Sequence, residues 1–502
     1  VTDVKVESKG LSAGSLGLVG SVVLGISTIA PAYALTASLG PTVQEVGEHL
    51  PAILIVGFIP MLLVALGYRE LNNAEPDSGT SFTWASKAFG PYVGWMGGWG
   101  LIASTIIVLS NLAGVAVDFF YLFLAQVTGN DSLADLTANK PVNIATCLAF
   151  MALACWLTYR GMQETKKVQY TMLAFQLVVL AWFVIEAFAL VAKGSAAGGI
   201  SFSLSWFDPF GIESFSAFTA GLSLSIFLYW GWDVCLTVNE ETSGSAKTPG
   251  RAAMITVFVI VTLYLFVAVA LLMFAGTGDT GNGLKNPDTS DNVFAALASP
   301  VMGPFAILLS LAVLGSSASS LQATFLSPAR TLLAMGHYKA IPGRFASITP
   351  RFSTPGFATV VAAVVSAGFY ALMRVISDNV LTDTIAALGL MICFYYGITA
   401  FACVWYFRSE LFAGPRNVFF KFLFPLLGGI GMAVVFVQTS VDAWDPDFGS
   451  GSSLFGIGTV FLIGVGIIVL GAVLMVAFSL KHPAFFRGEV LTKSTPSLIV
   501  EN

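Results

Sequence analysis

Charge is what this sequence has least of. Only 10% of its 502 residues are Asp, Glu, Lys or Arg, and 56% are hydrophobic, where a soluble domain carries roughly a quarter charged residues. Such a chain cannot clothe itself in a solvated surface, which excludes an ordinary soluble enzyme or binding module and leaves a membrane protein. Histidine is scarce too. His49, His337 and His482 are the whole supply, and no spaced set of metal ligands accompanies them, which argues against a metal-dependent membrane enzyme. The five cysteines, Cys147, Cys155, Cys235, Cys393 and Cys403, fall inside apolar runs without paired spacing; they read as small packing residues rather than disulfides or ligands. Gly10 to Gly14 matches G-x-S-x-G but lacks the strand-to-helix setting that gives that motif meaning. Nothing marks a nucleic-acid partner, a cofactor or a bound metal.

Alternation of apolar and polar residues is also missing, so a barrel is excluded and helices remain. Twelve spans are expected: Ser15–Leu39, Leu50–Tyr68, Tyr92–Val127, Pro141–Tyr159, Val168–Ala192, Ile212–Asn239, Ala252–Thr277, Val301–Met335, Pro355–Met373, Val380–Phe407, Phe422–Thr439 and Leu454–Leu480. Spans three and eight exceed one perpendicular crossing and predict tilt or a helix continuing into water. The first run, preceded by Lys5 and Lys9 and containing Ala32-Tyr33-Ala34, has features of a cleaved signal, but it is too long and eleven more spans follow. Of the 23 Lys and Arg residues, 19 fall on the side of the two termini and 4 on the other, which predicts a plasma-membrane protein with both ends cytoplasmic. The net charge of −5 therefore says little about partners beyond the bilayer itself. The tail from about Pro483 is expected to be disordered.

Two spans carry interruptions. In "GISTIAPAYAL", residues 25–35, Pro31 cannot donate to the Ser27 carbonyl and its ring crowds it, so the helix should open between about Ser27 and Ala34. In "SIFLYWGWDVCLTVNEE" Gly231 lies between two tryptophans and Asp233 follows. An acid at mid-membrane costs on the order of 2.5–3.5 kcal/mol on insertion scales and needs a compensating role. Freed backbone groups are tolerated in a bilayer only where they face protein or a wet cavity. Two interrupted spans five crossings apart predict inverted five-helix repeats whose breaks meet at a shared solute site.

The stretch "ALGYRELNNAEPDSGTSFTWASKAFGPYVGWMGGWG", residues 65–100, resembles the second-to-third-span signature of the amino acid-polyamine-organocation permeases. "YWGWDVCLTVNEETSGSAKTPGRAA" and "SPARTLLAMGHYKAIPGRFASITPRFSTP" resemble that family's sixth and eighth spans with their following loops. The resemblance covers nearly the whole chain. It implies an all-α membrane protein of 12 transmembrane helices with a leucine-transporter-type 5+5 inverted repeat and two additional C-terminal helices. The expected segments are 1–14 as a cytoplasmic start, 15–192 and 212–407 as the repeats, 408–480 as helices 11 and 12, and 481–502 as a cytoplasmic tail. The implied activity is secondary active transport of a small amino acid or related amine.

By motif match, the substrate-binding positions are Ser27, Thr28, Ala30, Pro31, Ala32 and Tyr33 in span one, with Phe227, Tyr229, Trp230, Gly231 and Trp232 in span six. Asp233 is the expected gating or coupling acid, a proton carrier or counter-ion for a substrate amine. Many relatives carry a Gly-Ser-Gly-like turn whose N–H groups hold a substrate carboxylate; here Pro31-Ala32-Tyr33 stands there, so at least one donor is missing and an amine or polyamine competes as cargo. The aromatics suit cation–π attraction to an ammonium group. Gln176 falls where several relatives place a fifth-span lysine and cannot titrate. Ser319 and Ser320, within "SSASS" at 316–320, offer hydroxyls that leave sodium open beside protons as the coupling ion. Glu186 and Asp118 are further intramembrane acids near span ends. Glu240, Glu241, Arg251 and Arg330 are expected at an inner gate, and Tyr395 and Tyr396 at an outer one. A channel's repeated filter and a sensor's added output domain are both missing from the sequence given. Oligomeric state, exact substrate and the choice between import and exchange are not encoded in any recognisable motif.

Overall fold

The computed structural model describes residues 9–196, 198–376 and 380–496; the expected terminal segments at 1–8 and 497–502 lie outside the described residues. The first span is two helices, α1 (Leu18–Ile29) and α2 (Pro31–Val46), followed after a turn at Gly47–His49 by α3 (Leu50–Ala74). Next come α4 (Ser81–Phe89), the 38-residue α5 (Pro91–Thr128), α6 (Lys140–Tyr159) and α7 (Met162–Ala192). The sixth span is divided into α8 (Phe215–Leu228) and the short α9 (Val234–Thr237), before α10 (Thr248–Ala275). Two short helices, α11 (Pro287–Ser290) and α12 (Val293–Met302), lead into α13 (Ala306–Thr324) and α14 (Leu326–His337). Then follow α15 (Gly356–Ile376), α16 (Val380–Tyr406), the turn α17 (Pro415–Asn417), a π-helical stretch at Val418–Leu423 and α18 (Phe424–Asp442). A two-stranded antiparallel hairpin, β1 (Ser453–Leu454) and β2 (Ile457–Gly458), precedes α19 (Thr459–Lys481) and α20 (Pro483–Phe486).

Ten helical stretches among the described residues are long and apolar enough to cross a membrane. The difference from the twelve expected spans has two causes. Leu18–Ala74 counts as one stretch because helical turns continue through its bends, and the interruption of the sixth span leaves the apolar α8 only 14 residues long. The helices pack around α13, which runs along α5 and α7, and α16, which runs along α5, α8 and α18. Large apolar side chains such as Val178, Ile185, Val364, Val437 and Val473 point outward and stay exposed, as a lipid-facing surface requires.

The tail differs from expectation. Rather than being disordered from Pro483, it forms α20 and buries Phe485, Phe486 and Leu491 against Phe82, Trp95 and Tyr338. Phe485 stacks on Phe82 with ring centroids 5.5 Å apart, and Lys87 Nζ donates to the Thr495 carbonyl at 2.7 Å. Two adjacent phenylalanines in a short polar tail carry enough apolar area to dock.

Candidate functional site

The interruption of the first span is narrower than the proline alone predicts. Only Ala30 leaves the helix, in the left-handed region at φ 56° and ψ 65°, and Pro31 becomes the first residue of α2. The Ala30 N–H still reaches the Ile26 carbonyl and the Ala34 N–H reaches the Ala30 carbonyl, so both half-helices close their own ends. Proline suits a helix start because its missing N–H would be an orphan there, and it disfavours helical geometry in the residue before it.

The backbone groups freed at this break turn to α13. Ser320 Oγ donates to the Thr28 carbonyl at 2.7 Å, and the Tyr33 N–H donates to Ser316 Oγ at 3.4 Å. Ser319 instead donates within its own helix, to the Ser316 carbonyl. The Ser27 and Tyr33 hydroxyls are buried and have no hydrogen-bond partner among the described residues.

The sixth span unwinds from Tyr229 to Asp233, and this second break lies directly against the first. Gly231 has φ +117°, and a Cβ placed there would sit 3.0 Å from the Ile29 nitrogen and 3.1 Å from the Thr28 carbonyl carbon. Only glycine satisfies both the backbone conformation and the approach. The flanking side chains then diverge. Tyr229 points away, its hydroxyl donating to the Leu54 carbonyl at 3.0 Å, while Tyr264 donates to the freed Leu228 carbonyl at 2.9 Å. Phe227 meets the Tyr33 ring edge-on, centroids 6.4 Å apart. Trp232 packs against Tyr68 and Tyr396, each at 5.1 Å, and Tyr68 in turn meets Trp84 at 5.4 Å.

Asp233 is buried within this aromatic wall. Its Oδ2 accepts from the Tyr395 hydroxyl at 3.1 Å, and that hydroxyl accepts from the Trp230 indole N–H at 2.6 Å. No ion pair to Asp233 occurs among the described residues. Gln176 on α7 is buried with neither end of its amide partnered among the described residues, while two turns earlier on the same helix Gln169 donates to the Ser319 carbonyl and to Gln322.

A family model described as amino acid permease matches residues 15–416. The chain belongs to this family. An uncharacterized transporter of Mycobacterium tuberculosis is 26% identical over 88% of the chain and 90% of its own length. The low-affinity putrescine importer PlaP of Escherichia coli is 21% identical over 84% of the chain and 88% of its own length. Among solved structures, MhsT in complex with L-phenylalanine superposes with a TM-score of 0.60 at 15% identity, over 83% of this chain and 98% of that one. The permease is thus a multi-pass membrane transporter with a leucine-transporter-type fold and not an enzyme.

One end of this permease is sealed by charge. Lys9 Nζ donates to Asp77 Oδ2 at 2.8 Å, to Glu240 Oε1 at 2.6 Å and to Ser78 Oγ at 3.3 Å. Asp77 also accepts from Thr83 Oγ1, the Gly79 N–H and the Tyr338 hydroxyl. Burial works to raise the Asp77 pKa, but the Lys9 ammonium and these donors outweigh it and hold it near 2. Burial likewise works to lower the Lys9 pKa, and the Asp77 and Glu240 carboxylates outweigh that. Beside this cluster Arg330 Nε meets Glu241 Oε2 at 2.6 Å, both side chains buried, and Leu16 exchanges backbone hydrogen bonds with Glu241 and Ser243. Arg251 forms no ion pair among the described residues and is not part of this cluster; it lines a shallow surface groove with Arg69 and Arg416. Glu70 pairs with Arg416 at 2.8 Å.

Lys9 precedes the first span and lies outside every quoted stretch, while Asp77 lies inside the stretch 65–100 with nothing local to mark it as the partner of Lys9. The usable signal is a lysine just before an apolar run. Tyr68 is also missed, although it lies in the quoted stretch at residues 65–100.

Proposed function

We propose that this permease is a secondary active transporter that moves a small amino acid or related amine across the plasma membrane by alternating access, driven by protons. On this reading the chain crosses twelve times, with two inverted five-span repeats at 15–192 and 212–407 and two further helices at 408–480; the even count puts both termini on one side, and the excess of Lys and Arg there supports the cytoplasm. The observation that carries the reading is the contact of Gly231 with the Thr28–Ile29 backbone. It brings two interrupted spans together, with buried hydroxyls of Ser27 and Tyr33 and the carboxylate of Asp233 nearby in the chain path. Such groups need a polar partner, and a bound solute supplies one.

The conformation is outward-facing on this reading. The Lys9, Asp77, Glu240 cluster closes the cytoplasmic end, while a cavity of about 280 Å³ opens beyond the other end of α2. Asp233 is the proton carrier: it is buried, bonded to neutral tyrosine and free of any ion pair among the described residues. Pro31 removes a carboxylate donor from span one, which favours amines among the cargo and agrees with the putrescine importer among the relatives.

The test is counterflow and gradient-driven uptake in proteoliposomes, with labelled amino acids and their decarboxylated amines. Uptake driven by an inward pH gradient without sodium is expected. A strict sodium requirement removes the proton assignment, and binding without counterflow turns the protein into a sensor.

A further inference from the structure

Tyr338, at the C-terminal edge of α14, touches both partners of the Lys9–Asp77 ion pair. Its hydroxyl donates to Asp77 Oδ2 at 2.8 Å, and the Lys9 ammonium stands 5.4 Å from the centre of its ring. A phenol can serve both groups at once only while packing holds its ring in one orientation. That packing comes from the other end of the chain. Phe82 on α4 has its ring centroid 6.3 Å from that of Tyr338 and 5.5 Å from that of Phe485, on which it stacks. Phe82 and Phe485 are both buried. Thr83, the next residue of α4, donates to Asp77 Oδ1 at 2.7 Å, so the seating of α4 bears on Asp77 by two routes.

The tail is tied down around this stack. Phe486 meets the Tyr92 ring at 5.1 Å, Lys87 on α4 donates to the Thr495 carbonyl at 2.7 Å, and Lys493 donates to the Tyr406 carbonyl at the end of α16 at 2.7 Å. Lys87 also pairs with Glu75 at 2.8 Å, and the Tyr406 hydroxyl donates to the same carboxylate at 2.7 Å. The segment that carries Asp77 is thereby fastened to the tail and to α16 together. Contacts run without a gap from Phe485 through Phe82 and Tyr338 to Asp77 and Lys9. We propose that Phe485 is a positioning residue of the inner gate, holding Phe82 and through it Tyr338 against the Lys9–Asp77 pair, so that undocking of the tail loosens the seal. The inference rests on the reading of that pair as a gate, which Lys9→Met tests by itself.

The test is a double-mutant cycle in the full chain, in a background where Cys235 is the sole cysteine. Cys235 is buried on α9, between the unwound stretch and Glu240, and the rate of its labelling by a membrane-impermeant maleimide from the Lys9 side reads the seal. Phe485→Ala and Tyr338→Phe should each accelerate labelling severalfold, and the double variant should be no faster than the faster single one, because both act through the same contact. Phe485→Leu keeps the apolar bulk and loses the stack; it should accelerate labelling about twofold, and it carries the cycle where the alanine variant does not fold. A tail that only stabilises the fold would lower the melting temperature and leave the two accelerations multiplying. Multiplying rates, or unchanged labelling in the Phe485 variants while Lys9→Met accelerates it, overturn the proposal and leave the gate standing. Unchanged labelling in every variant, Lys9→Met included, removes the gate reading and the proposal with it.

Discussion

The Tyr395 hydroxyl stands between two groups of the unwound sixth span, donating to Asp233 Oδ2 at 3.1 Å and accepting the Trp230 indole N–H at 2.6 Å. A residue of α16 thereby fixes the acid and the aromatic that flank Gly231. Tyr395→Phe leaves both without that partner, a loss of about 1–3 kcal/mol for a buried polar group. Uptake should fall about tenfold or more and its pH profile should move, whereas a purely structural role would lower the melting temperature and leave the profile in place.

Asp233→Asn keeps the shape and removes the titrating group. Gradient-driven uptake should be lost while the protein remains folded and monodisperse. Wild-type pH dependence in this variant would take Asp233 out of the coupling mechanism.

Gly231→Ala places a methyl 3.0 Å from the Ile29 nitrogen at φ +117°. Strain of about 1–3 kcal/mol is expected from the backbone conformation alone. The melting temperature should fall and transport should be lost, since the second break can then no longer seat against the first. An active, wild-type-stable alanine variant would mean that the two breaks do not need this contact.

The Lys9 cluster responds to pH at its extremes only. Asp77, held near 2, contributes stability that is fully present above its unfolded value near 4 and is lost as pH falls through about 2. Lys9, raised from 10.5, contributes stability present below that value and lost as pH rises past its folded one. Between these limits the pair stays charged, so a pH dependence of uptake around neutrality should survive Lys9→Met. That variant should still open the sealed end, because removing one partner of a buried ion pair costs about 3–5 kcal/mol. In a background where Cys235 is the sole cysteine, its labelling by a membrane-impermeant maleimide from the Lys9 side should accelerate severalfold. Unchanged labelling would remove Lys9 from the gate.

Pro31 and Gly231 announced their interruptions through backbone chemistry that needs no neighbour: a missing N–H in one case, a missing Cβ in the other. The size of the first break was not legible. Ala30 alone departs because Ser320 on α13 takes up the Thr28 carbonyl, and the two residues are 292 positions apart. Among the aromatics, residue type could not separate Tyr229, whose hydroxyl is spent on Leu54, from Trp232, which joins Tyr68 and Tyr396. The inner-gate arginine and glutamates were visible, but their pairing was not. Glu240 takes Lys9, and Glu241 takes Arg330.

The sequence by itself determined the solvent, the helical class and where two helices must fail, because hydropathy, proline and glycine act locally along the chain. Only the tertiary structure decided which groups meet at those failures and that the tail docks through Phe485 and Phe486. Those outcomes depend on which helix faces pack together, and packing is set by contacts between residues far apart in the chain.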